Sequence, residues 1–187
     1  MFYKFARAIA WCFMVTFKGM RVIGKENIPP KGPFLVIANH ESYLDPVAVG
    51  TALPQQIFFM AKKELFDIPI FGFILRKLGA FPVRRNEVDI TSLKTALKHL
   101  KDGKVVGVFP EGTRLKSLGE FHLGAAALAI KAGVPVLPVG LINVRGFKKC
   151  RVVIGTPIRE LPFGKNELEI GAKYLREKVL DLLQGES

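Results

Sequence analysis

The feature that most limits what this chain can become is a set of short apolar runs, each cut off by polar residues. Phe34-Leu-Val-Ile-Ala38 has no polar side chain on either face and stops at Asn39-His40. Such a run reads as a buried strand bounded by a turn. Lys104–Phe109, Val134–Leu141 and Arg151–Ile154 read as strands too, with Met20–Gly24, Ile57–Ala61 and Gly79–Val83 as shorter ones. Helical spacing fills the intervals. Asp45–Ala52 is a short helix; Ile90, Leu93, Leu97 and Leu100 mark one closing at Asp102-Gly103; His122–Ala132 is a third, capped by Gly133. His99 stands beside the second stripe, among lysines, and reads as solvated. Leu168, Ala172, Leu175, Val179 and Leu182 stripe a terminal helix that packs on a core. The alternation predicts a single α/β domain with a mostly parallel mixed sheet flanked by helices. With 187 residues and no internal repeat or linker, one domain accounts for the chain.

Residues 1–19 differ in character from the α/β part, residues 20–187. Phe2, Phe5, Trp11, Phe13 and Phe17 crowd the segment, and its longest uncharged run is Ala8 to Phe17. As a helix that run rises about 15 Å, roughly half a hydrocarbon core, so spanning is not expected. A signal peptide would place cations before an apolar run, as Lys4 and Arg7 do. However, Lys18-Gly-Met-Arg21 stands where a small-residue cleavage site belongs. The preferred reading is an amphipathic helix in the membrane interface, its aromatics inserted and Lys4, Arg7, Lys18 and Arg21 near acidic headgroups. A buried core helix is the alternative. Ile68–Leu75 is apolar all round and faces either the core or lipid.

Charge narrows the partners. Lysine and arginine total 28 against 16 acidic residues, a net charge of +12. That excess fits an anionic partner: a membrane surface, a phosphorylated substrate or nucleic acid. No nucleic-acid motif is present, so the last is not expected. Cys12 and Cys150 lack metal-ligand spacing and read as free thiols.

Chemistry concentrates where strands end. His40 follows the first buried run and Asp45 lies five residues on. At about 100° per residue, two positions so spaced point some 140° apart on one helix. The pair meets only if the chain turns between them, with His40 before the helix and Asp45 near its start. A carboxylate there holds one imidazole nitrogen and leaves the other free as a base. Asp45 before Pro46 is equally a helix cap that needs no chemistry. Two further strands end in polar groups: Arg84-Arg85, and Pro110-Glu111-Gly112-Thr113-Arg114. Arginines at such ends grip phosphate bidentately, Gly112 lets backbone approach a ligand, and Glu111 orients an arginine or accepts a substrate hydroxyl.

Together these segments resemble the glycerolipid acyltransferases, the 1-acylglycerol-3-phosphate acyltransferase family. Asn39, His40 and Asp45 match its N-H-x-x-x-x-D motif. Gly79, Phe81, Val83 and Arg85 match its second, and Phe109–Arg114 match F-P-E-G-T-R in full, followed by Gly119, Phe121 and Gly124. Val134–Val139 match the apolar fourth. The resemblance covers about residues 20–160 and makes residues 20–187 an acyltransferase domain. It implies that His40, held by Asp45, deprotonates the sn-2 hydroxyl of lysophosphatidate, which attacks an acyl thioester. The donor is acyl-CoA or acyl carrier protein, with no metal and no cofactor. Arg85, Glu111, Gly112, Thr113 and Arg114 would bind substrate. The expected location is the cytoplasmic side of the cell membrane, peripheral or monotopic. Glycerol 3-phosphate or another lysophospholipid is the alternative acceptor, and a non-catalytic basic membrane-binding module the alternative class.

Overall fold

The structure, a computed structural model, describes residues 2–84, 89–115, 117–146 and 149–185. Along the chain come helix α1 (Phe2–Lys18), strands β1 (Arg21–Ile23) and β2 (Phe34–Ala38), and helix α2 (Asp45–Ala52). Then follow β3 (Ile57–Lys62), α3 (Pro69–Leu78), β4 (Phe81–Val83), α4 (Ile90–Lys101) and β5 (Val105–Val108). The chain continues with α5 (Leu123–Ala132), β6 (Val136–Ile142), β7 (Arg151–Ile154) and α6 (Leu168–Gln184).

The apolar run Phe34–Ala38 is buried at every position because both faces of β2 are covered. Phe34, Val36 and Ala38 join one cluster with Met14 of α1 and Ala48 and Val49 of α2. Leu35 and Ile37 point the other way, into a cluster with Ala96, Leu128, Ala129 and Leu175 from α4, α5 and α6. The period of two along a strand assigns successive side chains to opposite faces, so an all-apolar strand needs helices on both sides. The sheet order is β1-β7-β6-β2-β5-β3-β4. All neighbours are parallel except β6 and β7, whose antiparallel pairing makes the sheet mixed. Ile37 pairs with Val108. Asn39-His40 and Pro110-Glu111 therefore leave the sheet side by side, at the carboxyl edge of adjacent strands.

The expected elements are present, with shifted ends. Gly79 is not strand: it closes α3 at φ 90°, a left-handed position that glycine takes without a Cβ penalty, and β4 starts at Phe81. His99 is not simply solvated. Its ring packs against Phe58 and Phe81 at 4.6 and 5.3 Å, and burial pushes its pKa down. Alpha-helical Pro69–Leu78 faces outward: among its residues only Gly72 is buried, and Ile70 is 78% exposed.

Helix α1 is both docked and exposed. Its inner side carries Met14 into the core, while the Tyr3 O–H reaches the carbonyls of Gly50 and Gln55 at 3.4 and 3.3 Å. Arg7 donates to the Thr51 carbonyl at 3.1 Å, where the end of α2 has free acceptors. The outer side presents Phe2, Phe5, Ile9, Phe13 and Phe17 to the surroundings, Phe17 being 78% exposed. Among the described residues, no helix is long and apolar enough to cross a membrane.

Candidate active site

His40 and Asp45 meet as the turn between them requires. Asp45 is the first residue of α2 and has no exposed surface. Its Oδ2 lies 2.8 Å from His40 Nδ1 and also accepts the backbone N–H groups of Glu41 and Ser42 at 2.7 and 2.8 Å. Its Oδ1 is buried and has no partner among the described residues, so Oδ2 alone answers the charge. An ionised carboxylate only accepts hydrogen bonds, which puts the imidazole proton on Nδ1 and the free lone pair on Nε2. Nε2 carries no hydrogen bond among the described residues.

The ring is held from behind as well. Phe109, just past β5, stacks on the imidazole with centroids 4.4 Å apart and planes at 22°. Phe59 stacks in turn on Phe109 at 5.6 Å. Gly107 makes room for this row, since a Cβ there would lie 2.4 Å from the Phe59 ring. A flat apolar wall fixes the plane of His40, and the aspartate fixes its rotation.

Glu111 braces the main chain. It is 4% exposed, and its Oε1 accepts the His40 N–H at 2.8 Å while Oε2 accepts the Gly119 N–H at 3.1 Å. Expected among the substrate-binding residues, it has both oxygens engaged by backbone. Burial raises its pKa, and the two N–H bonds oppose that shift. The Leu115 N–H returns a bond to the His40 carbonyl at 2.9 Å. Asn39 sets the other flank: its side-chain amide bonds both ways with Leu141 of β6, at 2.9 and 2.7 Å. The histidine backbone is thereby tied to both neighbouring strands.

The remaining predicted residues surround this pair unequally. Gly112 has φ 66°, and a Cβ there would meet His122 Nε2 at 2.9 Å. Thr113 is exposed at the rim. Arg114 lies with Cζ 3.7 Å from the centroid of the Tyr43 ring. Arg85, also expected to bind substrate, lies outside the described residues. The sequence suggested no role for Phe109, Tyr43 or Glu41. Glu41 Oε1 accepts the Val144 N–H at 2.8 Å, and burial raises its pKa. Tyr43, three residues after His40, was an available signal in the letters, whereas Phe109 meets the imidazole only through the pairing of β2 with β5. A cavity of ≈ 220 Å³ opens beside His40, with Leu118, Leu141, Ile142 and Leu183 on its apolar side.

A buried histidine oriented by a carboxylate, at the carboxyl edge of an open sheet in an α/β fold, is an arrangement that can serve as a general base. The chain belongs to the acyltransferase family, whose model, described as Acyltransferase, matches residues 19–142. It is 32% identical over 191 residues to the 1-acyl-sn-glycerol-3-phosphate acyltransferase of Bacillus subtilis, covering 96% of each chain. It is 36% identical over 132 residues to the chloroplastic LPAT1 enzyme of that name from Arabidopsis thaliana, covering 68% of this chain and 37% of that one. The crystal structure of the 1-acyl-sn-glycerophosphate (LPA) acyltransferase PlsC from Thermotoga maritima superimposes with a TM-score of 0.74 at 29% identity, covering 98% of this chain and 83% of that one.

Proposed function

We propose that this protein transfers a fatty acyl group from a thioester to the sn-2 hydroxyl of 1-acylglycerol 3-phosphate, giving phosphatidate. The observation that carries the reading is the 2.8 Å contact that leaves His40 Nε2 free. Nε2 takes the hydroxyl proton as the oxygen attacks the thioester carbonyl. The tetrahedral intermediate collapses, the C–S bond breaks, and the imidazolium returns its proton to the departing thiolate. Asp45 stabilises the imidazolium without accepting its proton. Acyl-CoA or acyl carrier protein supplies the thioester, and no metal or other cofactor enters. Apolar side chains beside His40 give an acyl chain a surface to lie on.

Arg114, with Gly112 and Thr113, holds the acceptor's phosphate, and Arg85 adds a second guanidinium. A phosphate monoester near neutral pH carries nearly two charges, which rewards paired arginine donors over a choline diester. Initial rates on lysophosphatidate and lysophosphatidylcholine test this. Arg114→Ala is expected to raise KM for lysophosphatidate and leave the donor's KM in place. Equal efficiency on the choline lipid would overturn the acceptor assignment.

The protein works at an anionic membrane surface, lying on it rather than crossing it. The exposed aromatics of α1 and the outward apolar side of α3 support this, since the two helices touch and α1 packs with α2 over one face of the sheet. Lys4, Lys18 and Arg76 flank that face and suit acidic headgroups.

A further inference from the structure

We infer that Tyr43 is a positioning residue: its ring is the platform that pre-orients Arg114 for the phosphate of the acceptor. The inference rests on the reading that Arg114 binds that phosphate and assigns a second residue to the same task. Tyr43 lies in the turn between His40 and Asp45, and Arg114 lies in the turn after β5. The guanidinium carbon sits 3.7 Å from the ring centroid, close enough for face-on stacking. Nothing in the packing explains the tyrosine, which is 73% exposed and contributes to neither apolar cluster. A large aromatic left in the open beside a general base has a use outside the core.

Stacking occupies the face of a guanidinium and spares its edge. Among the described residues no hydrogen bond or ion pair takes up the N–H groups of Arg114. With respect to those residues the planar fork is left whole, which is the geometry that receives two phosphate oxygens at once. The backbone supports the same pose, because the bond from Leu115 N–H to the His40 carbonyl at 2.9 Å anchors the residue after Arg114. A free arginine must give up rotamer freedom when it binds; one already laid on a ring gives up less. Tyr43 therefore acts on acceptor affinity through Arg114. The proton transfer at His40 does not pass through it.

The test compares Tyr43→Leu, Tyr43→Phe, Arg114→Ala and the double variant Tyr43→Leu/Arg114→Ala, by initial rates with lysophosphatidate and an acyl thioester. Tyr43→Leu is expected to raise the lysophosphatidate KM about 3–10-fold, the range of a part-solvated cation–π contact. Its kcat and donor KM should stay within about twofold, and Tyr43→Phe should behave as the parent, because the ring and not the hydroxyl matters. In the Arg114→Ala background Tyr43→Leu should add nothing. An unchanged KM in Tyr43→Leu, or an effect that persists without Arg114, overturns the inference. Should Arg114→Ala itself leave the acceptor KM untouched, the underlying phosphate reading fails instead, and the two failures are thus told apart.

Discussion

Glu111 holds the backbone of His40, its Oε1 taking the His40 N–H at 2.8 Å from across the β2–β5 edge. The carboxylate's other oxygen ties in Gly119 at 3.1 Å, so one buried side chain sets the distance between the histidine turn and the loop after β5. Two acceptors facing two donors is an arrangement that only a carboxylate side chain supplies. A glutamine would aim its NH₂ at one of the N–H groups and leave that donor unanswered, at a cost of about 1–3 kcal/mol.

Glu111→Gln is therefore expected to lower both stability and turnover. A small displacement of a catalytic group costs up to about 10²-fold, so kcat should fall about 10–100-fold, with little change in either KM. Thermal melts and steady-state rates on the same preparation check this. A Glu111→Gln protein with parental kcat would show that the brace has no bearing on His40.

The pH dependence of stability carries a second expectation. Burial raises Glu41 above the ordinary glutamate range, with its Val144 bond opposing. An acid whose folded pKa is raised binds its proton more tightly folded than unfolded. Its contribution is fully present below the unfolded value, about 4.3, and is lost as pH rises through the folded value. Glu41→Gln keeps an oxygen for the Val144 N–H and removes the half-buried ionisable group. Subtracting the variant's Tm from the parent's, pH by pH, should give a difference that falls just above pH ~4.3 and then levels off. A difference flat across that window would contradict the assignment.

Membrane attachment is tested by substitution, because deleting α1 would uncover the core position filled by Met14. Replacing the exposed Phe5, Ile9 and Phe17 of α1 by serine leaves the docked side intact. Flotation with liposomes rich in anionic lipid should fall sharply. Adding Ile70→Ser and Phe73→Ser on α3 should weaken it further. If the five-fold variant floats as well as the parent, another surface holds the bilayer.

Much of this was legible in the letters. Phe34–Ala38 announced a strand covered on both sides, and the spacing of His40 and Asp45 required the turn that joins them. Helix α2 begins and ends where Asp45-Pro46 and Ala52 suggested. What stayed hidden depends on distance along the chain. Glu111 reads as a binding residue until the register of β2 against β5 brings it under the His40 N–H, and no local pattern reports that register. Asn39 likewise gives no sign that its amide continues the sheet onto Leu141, 102 positions away. His99 looked solvated because lysines surround it in sequence, while Phe58 and Phe81, against which its ring packs, come from β3 and β4. Ile68–Leu75 could not be assigned to core or lipid, since an apolar segment carries no information on whether anything covers it.

In the proposed reaction Nε2 of His40 acts as the base, and His40→Ala tests that most directly. The variant would be purified with lipid, shown by its melt to be folded, and assayed with lysophosphatidate and acyl thioester alongside an equilibrium measurement of lysophosphatidate binding. Turnover is expected to fall by about 10²–10⁴-fold with acceptor binding retained. Near-parental turnover in folded His40→Ala protein would contradict it.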